Sequence, residues 1–89
     1  QRVFNDAAPN LRIIFYDAQG RVLQDTAGEL PAGSDESARR DVRAAMRGSY
    51  GARWERGVGG GAVVLYSTIP VVKDGRITGL VGVVKSTAE

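Results

Sequence analysis

Tyr50, Arg53, Trp54, Tyr66 and Ser67 are the residues whose types and spacing best suit a ligand contact. An arginine can hold a carboxylate or phosphate through two parallel N–H bonds. Tyr66 and Trp54 can wall an apolar cavity and each supply a donor. The same five residues fit a plainer reading, in which the aromatics are packing and Arg53 is a surface cation, because a small domain keeps a sizeable cavity only at high cost. A second cluster, Arg39, Arg43 and Arg47, is spaced i, i+4, i+8 and forms a basic helix flank together with Arg40. Such a flank suits an anionic ligand, lipid head groups or a partner. It equally suits a solvated face partly paired with Glu36 and Asp41.

Several chemistries fall away. The chain contains no cysteine and no histidine. Within it that removes thiolate chemistry, disulfides, typical zinc sites and any His-based acid–base or triad mechanism. Asp17, Asp25, Asp35 and Glu36 have neither the spacing of a calcium loop nor a Glu-x-x-Glu pair, and Asp17 and Asp25 read as turn formers. The run Gly57-Val58-Gly59-Gly60-Gly61 has strands on both sides and no helix after it, so it reads as a hairpin loop and not as a phosphate cradle. No catalytic residue, metal or cofactor is expected, and the fragment is not expected to be an enzyme. A formal charge of +2 is too small to argue for nucleic acid. No stretch of about 18 apolar residues is present to span a membrane.

The elements that must position these residues follow from period and punctuation. Eighty-nine residues, 43% hydrophobic and 25% charged, make one ordered domain over residues 1–89. Residues 1–8 read as the last turns of a helix, ended by Pro9-Asn10. Residues 11–16 and 21–24 alternate as two short strands around the turn Asp17-Ala18-Gln19-Gly20. After a loop holding Gly28, Pro31 and Gly33, Ser34 or Asp35 is placed to cap a helix running to about Arg47. Ala38, Val42, Ala45 and Met46 form its narrow apolar stripe, and Gly48 is its stop. Residues 50–56, 62–69 and 77–85 read as three further strands. Pro70 marks the end of the middle one or an edge position, and Lys73-Asp74-Gly75 is a hairpin turn. Gly79 and Gly82 permit close approach of something packed on the last strand. The last two strands are apolar on both faces, with Val63, Leu65, Val81 and Val83 against Val64, Tyr66, Leu80 and Val84. One short helix cannot cover both faces. The second cover is expected to be the N-terminal helix or a second copy of the domain. The chain opens at Gln1 and closes at Glu89 directly after a strand, so both ends are expected to continue in a longer protein.

The order strand, strand, helix and three strands resembles the PAS-like extracytoplasmic sensors called PDC or Cache domains. The wording is similar as well. IIFYDAQGRVLQDT resembles the opening of sensor-kinase periplasmic domains. DVRAAMRGSYGAR resembles the helix-and-strand segment of CreC-type sensor histidine kinases, and VVLYSTIPVVKDGRITGLVGVVK resembles their closing segment. The resemblance covers about residues 11–85, and RGSYGAR is its most specific piece. It implies an α+β fold with a five-stranded antiparallel sheet in the order 2-1-5-4-3 and one helix between strands 2 and 3. It implies a periplasmic signal-input domain set between two transmembrane helices, with the phospho-acceptor histidine in a cytoplasmic part beyond this chain. The partners implied are a small-molecule or periplasmic protein signal and a second copy in a homodimer. Two other readings stay open. One is a profilin-like or roadblock-like dimerisation scaffold. The other keeps the sensor fold on a chemoreceptor or a diguanylate cyclase.

Overall fold

Hydrogen-bond parity fixes this sheet. The computed structural model describes residues 11–57 and 61–87, so the helix expected over residues 1–8 lies outside the described residues. The elements are β1 (Leu11–Asp17), β2 (Val22–Asp25), α1 (Arg40–Met46), β3 (Gly51–Arg56), β4 (Val63–Lys73) and β5 (Arg76–Ser86). All pairings are antiparallel, in the order β2-β1-β5-β4-β3. The fold is thus α+β, as the order of elements implied.

The Gly57 N–H donates to the Ala62 carbonyl at 2.7 Å and the Thr87 N–H to the Val63 carbonyl at 2.9 Å. Antiparallel partners exchange bonds at alternate pairs. With the observed register, even-numbered residues of β4 therefore bond β3 and odd-numbered residues bond β5. Pro70 is even-numbered and lies beyond Gly51, where β3 has ended. Its missing N–H costs no ladder bond, so β4 runs on through it to Lys73. Pro70 is an edge position and not a strand end. The β4–β5 turn carries Asp74 and Gly75 at φ 53° and 76°, which matches the right-handed strand twist.

The helix is shorter than its sequence pattern. A cap at Ser34 or Asp35 was expected, yet α1 begins at Arg40, and Arg39 stands at the N-cap with no side-chain cap bond. The reason is competition for backbone groups. The Ser34 carbonyl accepts from the Val22 N–H at 2.8 Å, the Glu36 N–H donates to the Gly20 carbonyl at 2.9 Å, and Asp35 bridges Arg21. The Asp35 carboxylate turns back on the Ser37 N–H at 3.0 Å, a local bond that replaces a helix cap. Residues 34–36 are thereby spent as an extended flank of β2. Ala38 falls outside the helix and is exposed, while Val42 and Ala45 are fully buried and Met46 packs beside them. The C-terminus follows expectation. Gly48 takes φ 94°, its N–H bonds the Ala45 carbonyl, and the Ser49 N–H bonds the Ala44 carbonyl. Seven residues hold as a helix here only because they are packed.

The two sheet faces differ. Ile14, Tyr16, Leu80, Val84 and Val22 meet α1 and form the core with Val42 and Ala45. Phe15, Trp54, Leu65, Ile69 and Val71 are exposed on the opposite face, beside half-buried Ile13, Val81 and Val83. No described element packs on that second face.

Gly51 sets how closely α1 approaches the sheet. A Cβ there would lie 2.2 Å from the Asp41 carbonyl oxygen and 2.9 Å from the Ala44 methyl. Gly51→Ala is expected to destabilise the fold by about 3 kcal/mol through overpacking, seen as a fall in Tm of about 4–8 °C per kcal/mol. Thermal unfolding followed by circular dichroism reads this directly; an unchanged Tm would mean that the helix can back away freely.

Candidate functional site

Two arginines on the helix-covered face each hold one buried and one exposed carboxylate. Arg12 enters from β1. Its Nε and second guanidinium nitrogen donate to the two oxygens of Asp25 at 2.9 and 2.7 Å, and its remaining nitrogen lies 3.3 Å from Glu29. Asp25 also accepts from the backbone N–H groups of Ala27, Glu29 and Leu30, at 2.9–3.1 Å. One carboxylate thus closes the turn after β2 and pins it to β1. Asp25 is a turn former, as its position suggested, and also a buried partner for Arg12. Arg12, then the Leu30 and Ala27 N–H groups, hold its carboxyl far below the usual carboxylate range despite burial. The same bond raises Arg12 above its ordinary value.

Arg53 enters from β3. Its Nε donates to Asp41 at 2.8 Å, it pairs with Glu55, and its guanidinium carbon lies 3.8 Å from the centre of the Tyr66 ring. Asp41 sits on α1 with no exposure, and its second oxygen accepts from the Thr68 hydroxyl at 2.6 Å. Burial works against the Arg53 charge, but the bond to Asp41 and the field of the nearby carboxylates outweigh it, so its pKa is raised. Burial, and next the Asp41 charge, also push the Tyr16 phenol well above its ordinary value.

Beside Arg12 lies an open crevice of about 530 Å³, at the end of the sheet where β5 finishes, and a smaller hollow of about 120 Å³ touches both arginines. Arg12, Glu29, Glu55, Tyr66, Val84 and Ser86 are among the lining of the crevice. Asp25 and Asp41 have no exposed side-chain surface, whereas Glu29 and Glu55 are 68% and 45% exposed. The exposed glutamates are the exchangeable partners. An anionic ligand can take their place on Arg12 or Arg53 without uncovering a buried charge.

The five ligand candidates from the sequence do not converge. Arg53 and Tyr66 share the covered face. Trp54 is 64% exposed on the opposite face, and Ser67 lies there too, accepting a 3.3 Å bond from the hydroxyl of exposed Tyr50. Of the basic flank, Arg39 pairs with Glu36 at 3.2 Å, while Arg43 and Arg47 are exposed without an ion pair among the described residues. Asp41 is not part of a solvated face; it is the buried anchor of Arg53. Arg12, Asp41 and Thr68 were missed. The available signal was Asp41 four residues before Ala45, which sets a carboxylate on the buried side of the helix.

Removing one member of a buried pair strands the other. Asp41→Asn is expected to cost about 3–5 kcal/mol, and Asp41→Asn with Arg53→Met together less than the sum of the two single changes, in a urea-denaturation mutant cycle. The Asp25 shift sets a pH dependence. Its folded pKa is depressed, so its contribution is complete above the unfolded value of about 4 and is lost as pH falls through the folded value. Stability of the unaltered chain should therefore fall with acid below about pH 4 more steeply than that of Asp25→Asn. Equal slopes in denaturation measured across that range would remove Asp25 as the cause.

Compared with known family models and with curated proteins, the chain matches none at a significant level.

Proposed function

We propose that this chain is the periplasmic signal-input domain of a membrane-anchored two-component sensor histidine kinase, of the PAS-like PDC or Cache class. The observation that carries the reading is the sheet order β2-β1-β5-β4-β3 with the helix lying between β2 and β3, together with the similarity of RGSYGAR and its flanking segments to that class. The second face, on which no described element packs, supports it, since a sensor of this kind is one layer of a larger assembly.

The input site in this reading is the crevice beside Arg12 and Tyr66, and the signal is a small carboxylate or phosphate. Bound there, it displaces Glu29 or Glu55 from an arginine. The output is β5, whose last residues line the same crevice. A ligand shifts the domain only by its differential affinity for two packings. Those packings are the turn after β2 held to the end of β5, and that turn released. The reading assigns no catalysis to this chain.

Two measurements test it. An alkaline phosphatase fusion made after Glu89 in the intact gene product should be active, because that reporter folds only after export; an inactive fusion with expressed protein would place the domain in the cytoplasm. Native mass spectrometry and thermal shift with acetate, succinate, citrate and phosphate should find one that binds. Glu29→Gln should tighten it about twofold to fivefold, because an exposed ion pair of less than 1 kcal/mol no longer competes. If none of these anions binds either protein, the crevice is not an anion site.

A further inference from the structure

The outer edge of β3, which no described strand pairs, lies on the far side of Arg53 from the crevice. By the parity established above, Gly51, Arg53 and Glu55 bond β4. Ala52 and Trp54 therefore turn their N–H and C=O groups outward, and among the described residues neither has a backbone partner. A groove of about 600 Å³ runs along this edge. Three consecutive residues, Ala52, Arg53 and Trp54, form one wall, and Ala38, Arg39 and Arg40 form the other. Consecutive strand residues point to opposite faces, so a cavity touching all three looks on to the strand edge itself. A helix start set beside an unpaired strand makes a slot in which an extended chain can add to the sheet.

Charge identifies the occupant. Arg39 is held by Glu36, and Arg53 by Asp41 and Glu55, but Arg40 is exposed and has no ion pair among the described residues. Arg43, one helical turn on, is likewise exposed and unpaired among them. The groove is basic on its helix side and apolar on the other, where Trp54 and Ala52 continue the sheet face that no described element covers. Side chains of neighbouring strands share a face. A chain added to β3 thus presents alternate residues to Arg39 and Arg40 and the remainder to Trp54.

We infer that the β3 edge binds an extended protein segment in which acidic and apolar residues alternate, added as a sixth strand of the sheet. A second copy of this chain is the poorer occupant, because edge-to-edge pairing would set the arginines of two identical grooves against each other. The inference is independent of the sensor reading, since it rests on the outward backbone groups of Ala52 and Trp54 and on Arg40, none of which lines the crevice.

The test uses the whole 89-residue chain and Trp54, its only tryptophan, as the reporter. The probe is a seven-residue capped peptide alternating glutamate and valine. It should change Trp54 fluorescence saturably. The same peptide N-methylated at alternate amides, which removes one edge of its donors, should not bind. A lysine–valine peptide should bind at least about tenfold more weakly, as should the first peptide to Arg40→Glu, a change of about 1.4 kcal/mol or more. The Arg40 side chain makes no hydrogen bond or ion pair among the described residues, so circular dichroism should be unchanged. Equal binding of the methylated peptide, equal binding of the lysine peptide, or no response at millimolar peptide would each overturn the proposal. A dimer in sedimentation that Trp54→Pro abolishes and Arg40→Glu leaves intact would assign the edge to a second copy and overturn it as well.

Discussion

The Asp41 carboxylate is the constraint on which the rest depends. It is a carboxylate at a position with no solvent exposure, and such a group is costly to bury unless it is paired and hydrogen-bonded. Its two oxygens are spoken for from two strands, by Arg53 of β3 and Thr68 of β4. A seven-residue helix has little stability of its own, and this pair of bonds fixes both its distance from the sheet and its rotation about its axis. Gly51 then follows as a necessity, because the helix backbone at Asp41 passes where any Cβ at 51 would be. Gly82 follows in the same way: the Tyr16 ring and Thr68 hydroxyl fill the space above it, 3.2 and 3.0 Å from where its Cβ would stand. The close approach expected at Gly82 is therefore to the sheet's own core.

The second buried pair repeats the device on the same face, toward the β1–β2 edge of the sheet. Asp25 uses both oxygens on Arg12 and still takes three backbone N–H groups. That load, with Leu30 packed against the core, gives the turn a fixed place over β1. The two arginines leave their pairs with donor capacity unused by the buried partner, and it is directed at exposed glutamates. The crevice beside Arg12 sets these charged groups next to the apolar side chains of Leu11, Val64 and Val84. Its chemistry is that of exchange at the rim, while the carboxylates behind the rim keep the arginines charged and in place.

What was legible in the sequence was what depends on neighbours along the chain. Period-two alternation gave every strand within a few residues, and the Asp-Gly pair at 74–75 and the glycine at 48 gave the turn and the helix stop. The helix start was misplaced because Ser34, Asp35 and Glu36 carry the composition of a cap but pair with β2 and Gly20 instead. Propensity cannot see that competitor, which is far away until the chain folds. The Arg12–Asp25 and Arg53–Asp41 pairs were hidden by the same limit. Arg40, Asp41 and Arg43 read as one charged helix surface, and only the sheet decides that Asp41 goes inward while its neighbours stay in water. Trp54 and Arg53, adjacent in sequence and grouped by chemistry, were separated by the pleat.

That separation explains why the arrangement has two surfaces instead of one pocket. On a strand, a polar and an aromatic residue side by side cannot serve the same cavity, since the backbone lies between them. Arg53 is committed inward by Asp41 and by the Tyr66 ring, so Trp54 must face outward on the sheet's last strand. There it borders both the face and the edge that no described element covers. An exposed edge with a large aromatic beside it invites uncontrolled pairing with other chains. The arginines along the helix are what limit this, since they repel copies of the same chain and admit an acidic one. The same basic flank that looks redundant beside the buried ion pairs thus determines which chain the edge can accept.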